Sequence, residues 1–412
     1  MGVDIRRSIC EQLVAKGKMN GAAFETIAEV GIEALELIDC AEITQDQLAI
    51  ALEALIPAGL RALLLNHAGR CFGAKAVHSI VSSPKNSLFA LLIGGAYMLK
   101  DADAAALIEA TASSLSSIQF KACPAIGGLL CNSIRDNFGG NCNGHLLELL
   151  LEDIPLKKEF LLNLSSSDAL SNLKSLTLKQ VGGIDDDVVS VLLSLTSNLE
   201  GIDLSNNIAL TDTALLSIRR SNIKNSLRAL QLSGLKSLTA AGLETFFTAD
   251  ISGLINPPKL KKLDLSNCNY EAVNDTVVEL AINASASTGN NPDCKFGSII
   301  KAEELMKNAL TRGFGGFVHL NISGGCVTDK SMENLAITCS ASLQELDVSF
   351  CPKVTDKGLG YLVSMAEHQF EKVHIWGNAQ ITEEFFDGHS RLKERFEILG
   401  AWMKQSGKRS LR

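Results

Sequence analysis

The apolar positions of this chain follow one recurrent arrangement. An apolar residue is followed at +3 and +5 by two more, and the group is often closed three residues later by Asn or Cys. The clearest copies are Leu199-x-x-Ile202-x-Leu204-x-x-Asn207, Leu260-x-x-Leu263-x-Leu265-x-x-Cys268 and Leu343-x-x-Leu346-x-Val348-x-x-Cys351. Further copies begin at Ile32, Leu60, Leu88, Leu115, Leu146, Leu173, Leu227, Phe317 and Phe370. Successive starts lie 26–33 residues apart, except for a gap of 57 between Leu260 and Phe317. Alternation within the group predicts a short strand with two side chains turned to the interior. The residues after each strand predict a helix: in ALTDTALLSI, CVTDKSMENL and KVTDKGLGYL a Thr or Asp stands where an N-cap belongs, and apolar residues then recur at helical spacing.

A strand–turn–helix unit of this length, repeated in register, is a leucine-rich repeat. One unit cannot bury both its strand and its helix, but stacked neighbours can, at about 1.5–3 kcal/mol per large apolar side chain. The fold class expected is therefore an α/β leucine-rich-repeat solenoid of the horseshoe kind, with parallel strands concave and helices convex. Residues 1–31 are expected to form a helical N-terminal cap, and 32–380 an array of about twelve repeats with an insertion near 284–316. Residues 381–412 are expected to form a capping helix and basic tail, because Phe385, Leu392, Phe396, Leu399 and Met403 recur at helical spacing.

Composition narrows the function. The 412 residues are 46% apolar and 20% charged, with a net charge of −8, so there is no general attraction for nucleic acid. The longest apolar run, Leu88 to Leu99, is too short to span a bilayer. Eleven cysteines without a CxxC pair, behind a start that lacks a secretory signal, suggest reduced thiols. Cys40, Cys123, Cys268 and Cys351 share one repeat position and are expected to be structural. No metalloprotease, esterase or P-loop motif occurs, and no histidine has a metal-ligand partner at short spacing. Neither catalysis nor a metal or other cofactor is expected.

The residue between the two strand leucines should face the concave side. Along the array it reads Glu36, Leu64, Leu92, Gln119, Leu150, Thr177, Asp203, Gln231, Asp264, Asn321, Asp347 and His374. With Phe89 and Leu147, the residues Leu64, Leu92 and Leu150 form an expected apolar binding stretch. Asp203, Asp264 and Asp347 form an expected acidic ladder of polar contacts, and Phe350, His374 and Trp376 an aromatic hot spot in the last coils.

Three segments carry a family resemblance: LELIDCAEITQDQL (Leu35 to Leu48), LKSLTLKQVGGIDDDVV (Leu173 to Val189) and LQELDVSFCPKVTDKGL (Leu343 to Leu359). They resemble the fungal radiation-sensitivity-seven proteins of nucleotide-excision repair, and more broadly are similar to the antagonist-of-mitotic-exit and F-box leucine-rich-repeat proteins. The resemblance implies a non-catalytic recognition subunit in global-genome repair, nuclear, associated with a Swi/Snf-type ATPase and with elongin and cullin components of a ubiquitin ligase. The alternative expectation is a scaffold or substrate adaptor of the same fold in another ubiquitin or signalling pathway, in the cytoplasm. The chain departs from both groups: the 31 residues before the first repeat lack an F-box pattern, and nothing matches the cysteine-paired region of the repair proteins.

Overall fold

The computed structural model describes residues 3–139, 145–250, 256–286, 316–365, 370–382, 385 and 397–400. The chain divides into two units, Met1–Asn207 and Ile208–Arg412. Each of the twelve repeat starts leads into a strand. Unit 1 holds β1 (Ala34–Leu37), β2 (Ala62–Leu65), β3 (Ala90–Gly94), β4 (Ser117–Lys121), β5 (Glu148–Ile154), β6 (Ser175–Val181) and β7 (Gly201–Asp203). Each pairs in parallel with the next. Unit 2 holds β8 (Ala229–Gln231), β9 (Lys262–Asp264), β10 (His319–Asn321), β11 (Glu345–Asp347), β12 (Lys372–His374) and β13 (Glu397–Leu399), paired the same way. A helix follows most strands, among them Gln45–Leu55, Asp101–Thr111 and Asp186–Ser194 in unit 1 and Asp212–Arg220, Asp329–Thr338 and Asp356–Met365 in unit 2. The architecture is an α/β leucine-rich-repeat solenoid.

The register explains the spelling of the repeat. The two inward positions stack into continuous rows. In unit 1 these are Leu35-Leu63-Leu91-Ile118-Leu149-Leu176-Ile202 and Leu37-Leu65-Ile93-Phe120-Leu151-Leu178-Leu204, and every member is 0–3% exposed. Leu230, Leu263, Leu320, Leu346 and Val373 do the same in unit 2. Three residues after the strand residue that stands between the two inward positions, the backbone turns left-handed. That position holds His67, Ala122, Asp153, Gln180 and Asn206 in unit 1, and Asn267, Phe350 and glycines Gly234, Gly324 and Gly377 in unit 2.

The Asn or Cys position is buried immediately after this turn, where strand-end carbonyls need donors. Asn207 donates to Leu178 O (2.6 Å) and Leu204 O (2.8 Å), and its Oδ1 accepts from Val181 N (3.0 Å). Asn378 repeats the pattern, donating to Val348 O and accepting from Cys351 N. A thiol fills only the donor half of this role. Cys123 donates to Ile93 O, Cys268 to Leu232 O at 3.1 Å and Cys351 to Ile322 O at 3.4 Å. Burial pushes the Cys268 and Cys351 thiols up to about 11. Cys40 shares the position and is held protonated by a hydrogen bond with Cys71 and by burial.

Helix starts in unit 2 couple neighbouring coils. Thr211, Thr328 and Thr355 cap their own helices through the side-chain oxygen. The Asp at the first helical position turns instead to the next coil. Asp329 accepts from Thr355 N (2.8 Å) and Oγ1 (2.6 Å), Asp356 from the same atoms of Thr382, and Asp212 from those of Thr239. Asp275 accepts from Thr328 N and Oγ1 and from Ser331 Oγ. Cap and inter-coil tie are thus separate tasks, which the sequence reading had merged.

The terminal expectations need two corrections. Leu399, assigned to a capping helix by its spacing, lies in strand β13, where His374 is its register partner. Leu392, Phe396, Met403 and the basic tail lie outside the described residues. The insertion also begins later than Ala284, because the helix Asp275–Ala286 continues through that residue and buries it. The rest of the insertion, from 287 to 315, lies outside the described residues. At the N-terminus lie the helices Val3–Ala15 and Gly21–Ile27, the second with Phe24 and Ile27 buried.

Candidate recognition surface

Strand alternation that buries the leucine rows leaves a second set of side chains on the open face of each ladder. In unit 1, strand pairing aligns Glu36, Leu64, Leu92, Gln119, Leu150, Thr177 and Asp203 in one row. Leu64, Leu92 and Leu150 are half-buried, so they reach solvent while their inward neighbours Leu63, Leu91 and Leu149 do not. Phe89 and Leu147, just before β3 and β5, are 44% and 37% exposed. The Arg61 guanidinium lies 6.0 Å from the centre of the Phe89 ring.

The apolar residues of this row fall into two groups. Gln119 stands between Leu92 and Leu150 in the row and donates to Ser117 Oγ, which donates in turn to Glu148. One patch holds Leu64, Phe89 and Leu92 with Ala62 and Ala90. The other holds Leu147 and Leu150. Toward the strand ends a charged row closes the surface, where Glu152 pairs with Lys179 at 2.6 Å and with Lys121 at 3.8 Å.

The aspartates do not form one acidic ladder. Asp203 belongs to unit 1, and in unit 2 Asn321 separates Asp264 from Asp347. Each spends one oxygen on its own turn: Asp203 accepts from Ser205 N, Asp264 from Ser266 N and Asp347 from Ser349 N, at 2.8–2.9 Å. Asn321 does likewise with Ser323 N. These side chains first close the strand-end turn, and only what remains faces solvent.

His374 enters a cluster that the single-row reading missed. Its Nε2 lies 2.9 Å from Glu345 Oε1, and His319 Nδ1 lies 3.2 Å from Glu345 Oε2. Burial works against the Glu345 charge, but the two imidazole contacts outweigh it and hold the carboxyl below its ordinary range. The three residues come from β10, β11 and β12, so the relevant signal is the row two positions earlier in each repeat. With Lys262, Asp264, Asn321 and Asp347 they line a shallow recess of about 440 Å³.

Phe350 and Trp376 do not occupy equivalent positions. Trp376 follows β12 as Ser349 follows β11, whereas Phe350 occupies the left-handed turn (φ 55°) and matches Gly377. Each aromatic rests on a glycine of the next coil. A Cβ at Gly377 would meet the Phe350 ring at 2.5 Å, and one at Gly400 would meet Trp376 Cγ at 2.8 Å. Both remain largely exposed, at 60% and 43%. Among the described residues no group of three or more His, Cys, Asp or Glu is arranged to hold a metal ion, and no helix is long and apolar enough to cross a membrane.

Comparison with known proteins agrees with this architecture. Residues 339–363 match the family model described as Leucine Rich repeat. No curated protein matches the chain. Among solved structures the chain is similar to the crystal structure of the Rad7 and Elc1 complex in yeast. The TM-score is 0.60 at 14% identity, over 96% of this chain and 87% of that one. It is more distantly similar to the TLR13–ssRNA13 complex (TM-score 0.37, 15% identity, 89% of this chain and 50% of that one). The Toll–Spätzle complex of Drosophila is also similar (TM-score 0.33, 12% identity, 88% and 42%). At 14% identity the likeness to the yeast structure is one of fold, and the two receptor likenesses add nothing to it.

Proposed function

We propose that this protein is a non-catalytic recognition subunit that holds a protein partner on the open strand face of unit 1. The observation that carries the reading is the pair of apolar patches around Leu64, Phe89 and Leu92 and around Leu147 and Leu150. These large side chains reach solvent, Phe89 and Leu147 exposed and the three leucines half-buried, where the repeat permits any polar residue. Apolar surface kept accessible on a rigid strand ladder is a cost to solubility unless a partner covers it. Its loss of exposure on binding is worth roughly 25 cal/mol per Å² before the costs of association. The partner it fits presents apolar side chains toward the strand face.

The fold likeness to a protein determined in complex with Elc1 supports an elongin-type adaptor as one partner. The repeat resemblance extends the proposal to a nuclear role in global-genome nucleotide-excision repair, with a Swi/Snf-type ATPase and a cullin-based ligase. The test is affinity purification of the full chain from its own cells with quantitative mass spectrometry. The proposal expects an elongin-type protein and a helicase-like ATPase in the eluate. Recovery of neither, from an eluate that holds other specific proteins, refutes the repair assignment and leaves protein recognition as the role.

A further inference from the structure

The helix-to-strand connections of unit 2 form a basic cavity of about 830 Å³ where the strands begin. Lys224 and Arg228 reach it from the segment before β8, and Lys259 from the segment before β9. The backbone sets these positions. The short helical turn Asn222–Asn225 closes on Leu227, whose N–H donates to Ile223 O (2.9 Å). Arg228 O then accepts from Lys261 N (2.7 Å) and Lys262 N (3.0 Å), which brings the Lys259 segment alongside. Pro257 and Pro258 stiffen that segment by fixing φ.

Charge in the cavity is unbalanced. No carboxylate lines it, and none of the three cations makes an ion pair among the described residues. Arg228 Nη1 donates to Asn225 O and Leu227 O, both at 2.9 Å, which fixes the guanidinium and leaves its Nε and Nη2 available. A fourth cation stands behind the wall. Arg219 is 8% exposed and donates through Nη1 to Thr245 O and through Nη2 to Thr248 O (2.6 Å), and Thr248 lines the cavity. Its buried Nε has no hydrogen-bond partner, and no carboxylate among the described residues pairs with it. A guanidinium held by carbonyls alone keeps its charge uncompensated. The helices Ala240–Phe247 and Asp275–Ala286 end at the cavity, and their C-termini carry roughly half a negative charge each. Four cations exceed that, in a chain whose net charge is −8.

We infer that this cavity is a second recognition site, one that takes an acidic peptide segment of a protein partner. Carboxylates of the segment pair with Lys224, Arg228 and Lys259, and an apolar side chain packs against Pro257 and Leu280. Charge complementarity selects this partner. The chain's own insertion is not the complement: residues 287–315 carry Asp293, Glu303 and Glu304 against Lys295, Lys301, Lys307 and Arg312, a net charge of +1. A nucleic-acid strand would share the cation contacts, but its bases stack on exposed aromatic rings. Phe247, the ring that lines the cavity, is 3% exposed. The site lies in unit 2 and does not depend on the apolar patches of unit 1.

The test measures binding of the full chain to fluorescently labelled synthetic peptides by anisotropy. The peptides combine aspartate or glutamate with leucine or phenylalanine in permuted order. Controls carry glutamine in place of the acids, and a single-stranded oligonucleotide of equal charge is measured alongside. Acidic peptides are expected to bind, less tightly as salt is raised, while the glutamine controls do not bind and the oligonucleotide binds more weakly. Lys224→Gln combined with Lys259→Gln should weaken acidic-peptide binding about fivefold or more, with an unchanged circular dichroism spectrum. Lys259→Glu, at an exposed side chain, should weaken it alone and supplies a variant in which folding is not at stake. The assignment is overturned if no acidic peptide exceeds its glutamine control, if the folded variants bind with wild-type affinity, or if the oligonucleotide binds more tightly.

Discussion

Asn207→Ala offers the sharpest energetic test of the turn chemistry. The side chain is 4% exposed and makes three hydrogen bonds, two as donor to Leu178 O and Leu204 O and one as acceptor from Val181 N. Alanine removes all three. It removes the side-chain acceptor of the Val181 N–H and deprives two carbonyls of a donor. A buried group left unsatisfied costs about 1–3 kcal/mol, more for an N–H than for a carbonyl that retains other contacts. The expected loss is therefore about 3 kcal/mol.

Asn207→Cys provides an internal control, because other coils use cysteine at this position. The thiol restores a donor to the strand-end carbonyls, as Cys268 does toward Leu232 O, but supplies no comparable acceptor for the Val181 N–H. Its loss should lie between those of wild type and alanine. Urea unfolding followed by circular dichroism reads both variants as shifts in midpoint at unchanged slope. A cost below about 1 kcal/mol for alanine, or equal costs for alanine and cysteine, would show that the turn position is not held by these bonds.

Three further outcomes follow from the same geometry. Leu91→Ala should cost about 2–5 kcal/mol because the residue is fully buried, while Leu92→Ala, one residue along the same strand, should stay within about 1 kcal/mol. Equal costs in urea unfolding would mean that the register is wrong. Asp329→Ala removes two bonds to the Thr355 cap and should destabilise unit 2 by about 2 kcal/mol or more, read as a lower unfolding midpoint. For Asp275, burial opposes the charge but the Ser331 and Thr328 hydrogen bonds prevail and lower its pKa. Its contribution is complete above the ordinary aspartate value of about 3.9 and is lost as the pH falls through the lower folded value. Unfolding midpoints measured from pH 6 downward should fall less steeply in Asp275→Asn than in wild type.

The sequence exposes those features that repeat with one spelling. The L-x-x-L-x-L rows, the turn position and the Thr caps recur in coil after coil, so each strand start and each outward position could be located from spacing alone. Features assembled across coils are less legible. The His319–Glu345–His374 cluster draws one residue from each of three strands, with nothing in any single repeat to mark it. Aspartate after a capping Thr reads as a favourable charge at a helix start, while its tie to the next coil depends on how the coils stack. Leu399 was misplaced because a short apolar group fits helical and repeat spacing equally well. Phe350 occupies the left-handed turn and not a strand position, because alternation ends there, a break that a bulky residue conceals.

The central claim is that the apolar patches of unit 1 hold a protein partner, and Leu92→Asp and Leu150→Asp test it most directly. Both residues are half-buried on the open face, so each variant should keep the wild-type circular dichroism spectrum and nearly its unfolding midpoint. The measurement is quantitative mass spectrometry of proteins co-purifying with wild type and with each variant from the same cells. The account predicts that a defined set of partners is lost from the folded variants. Recovery of the same set at wild-type abundance would contradict it, because the apolar strand face would then have no part in recognition.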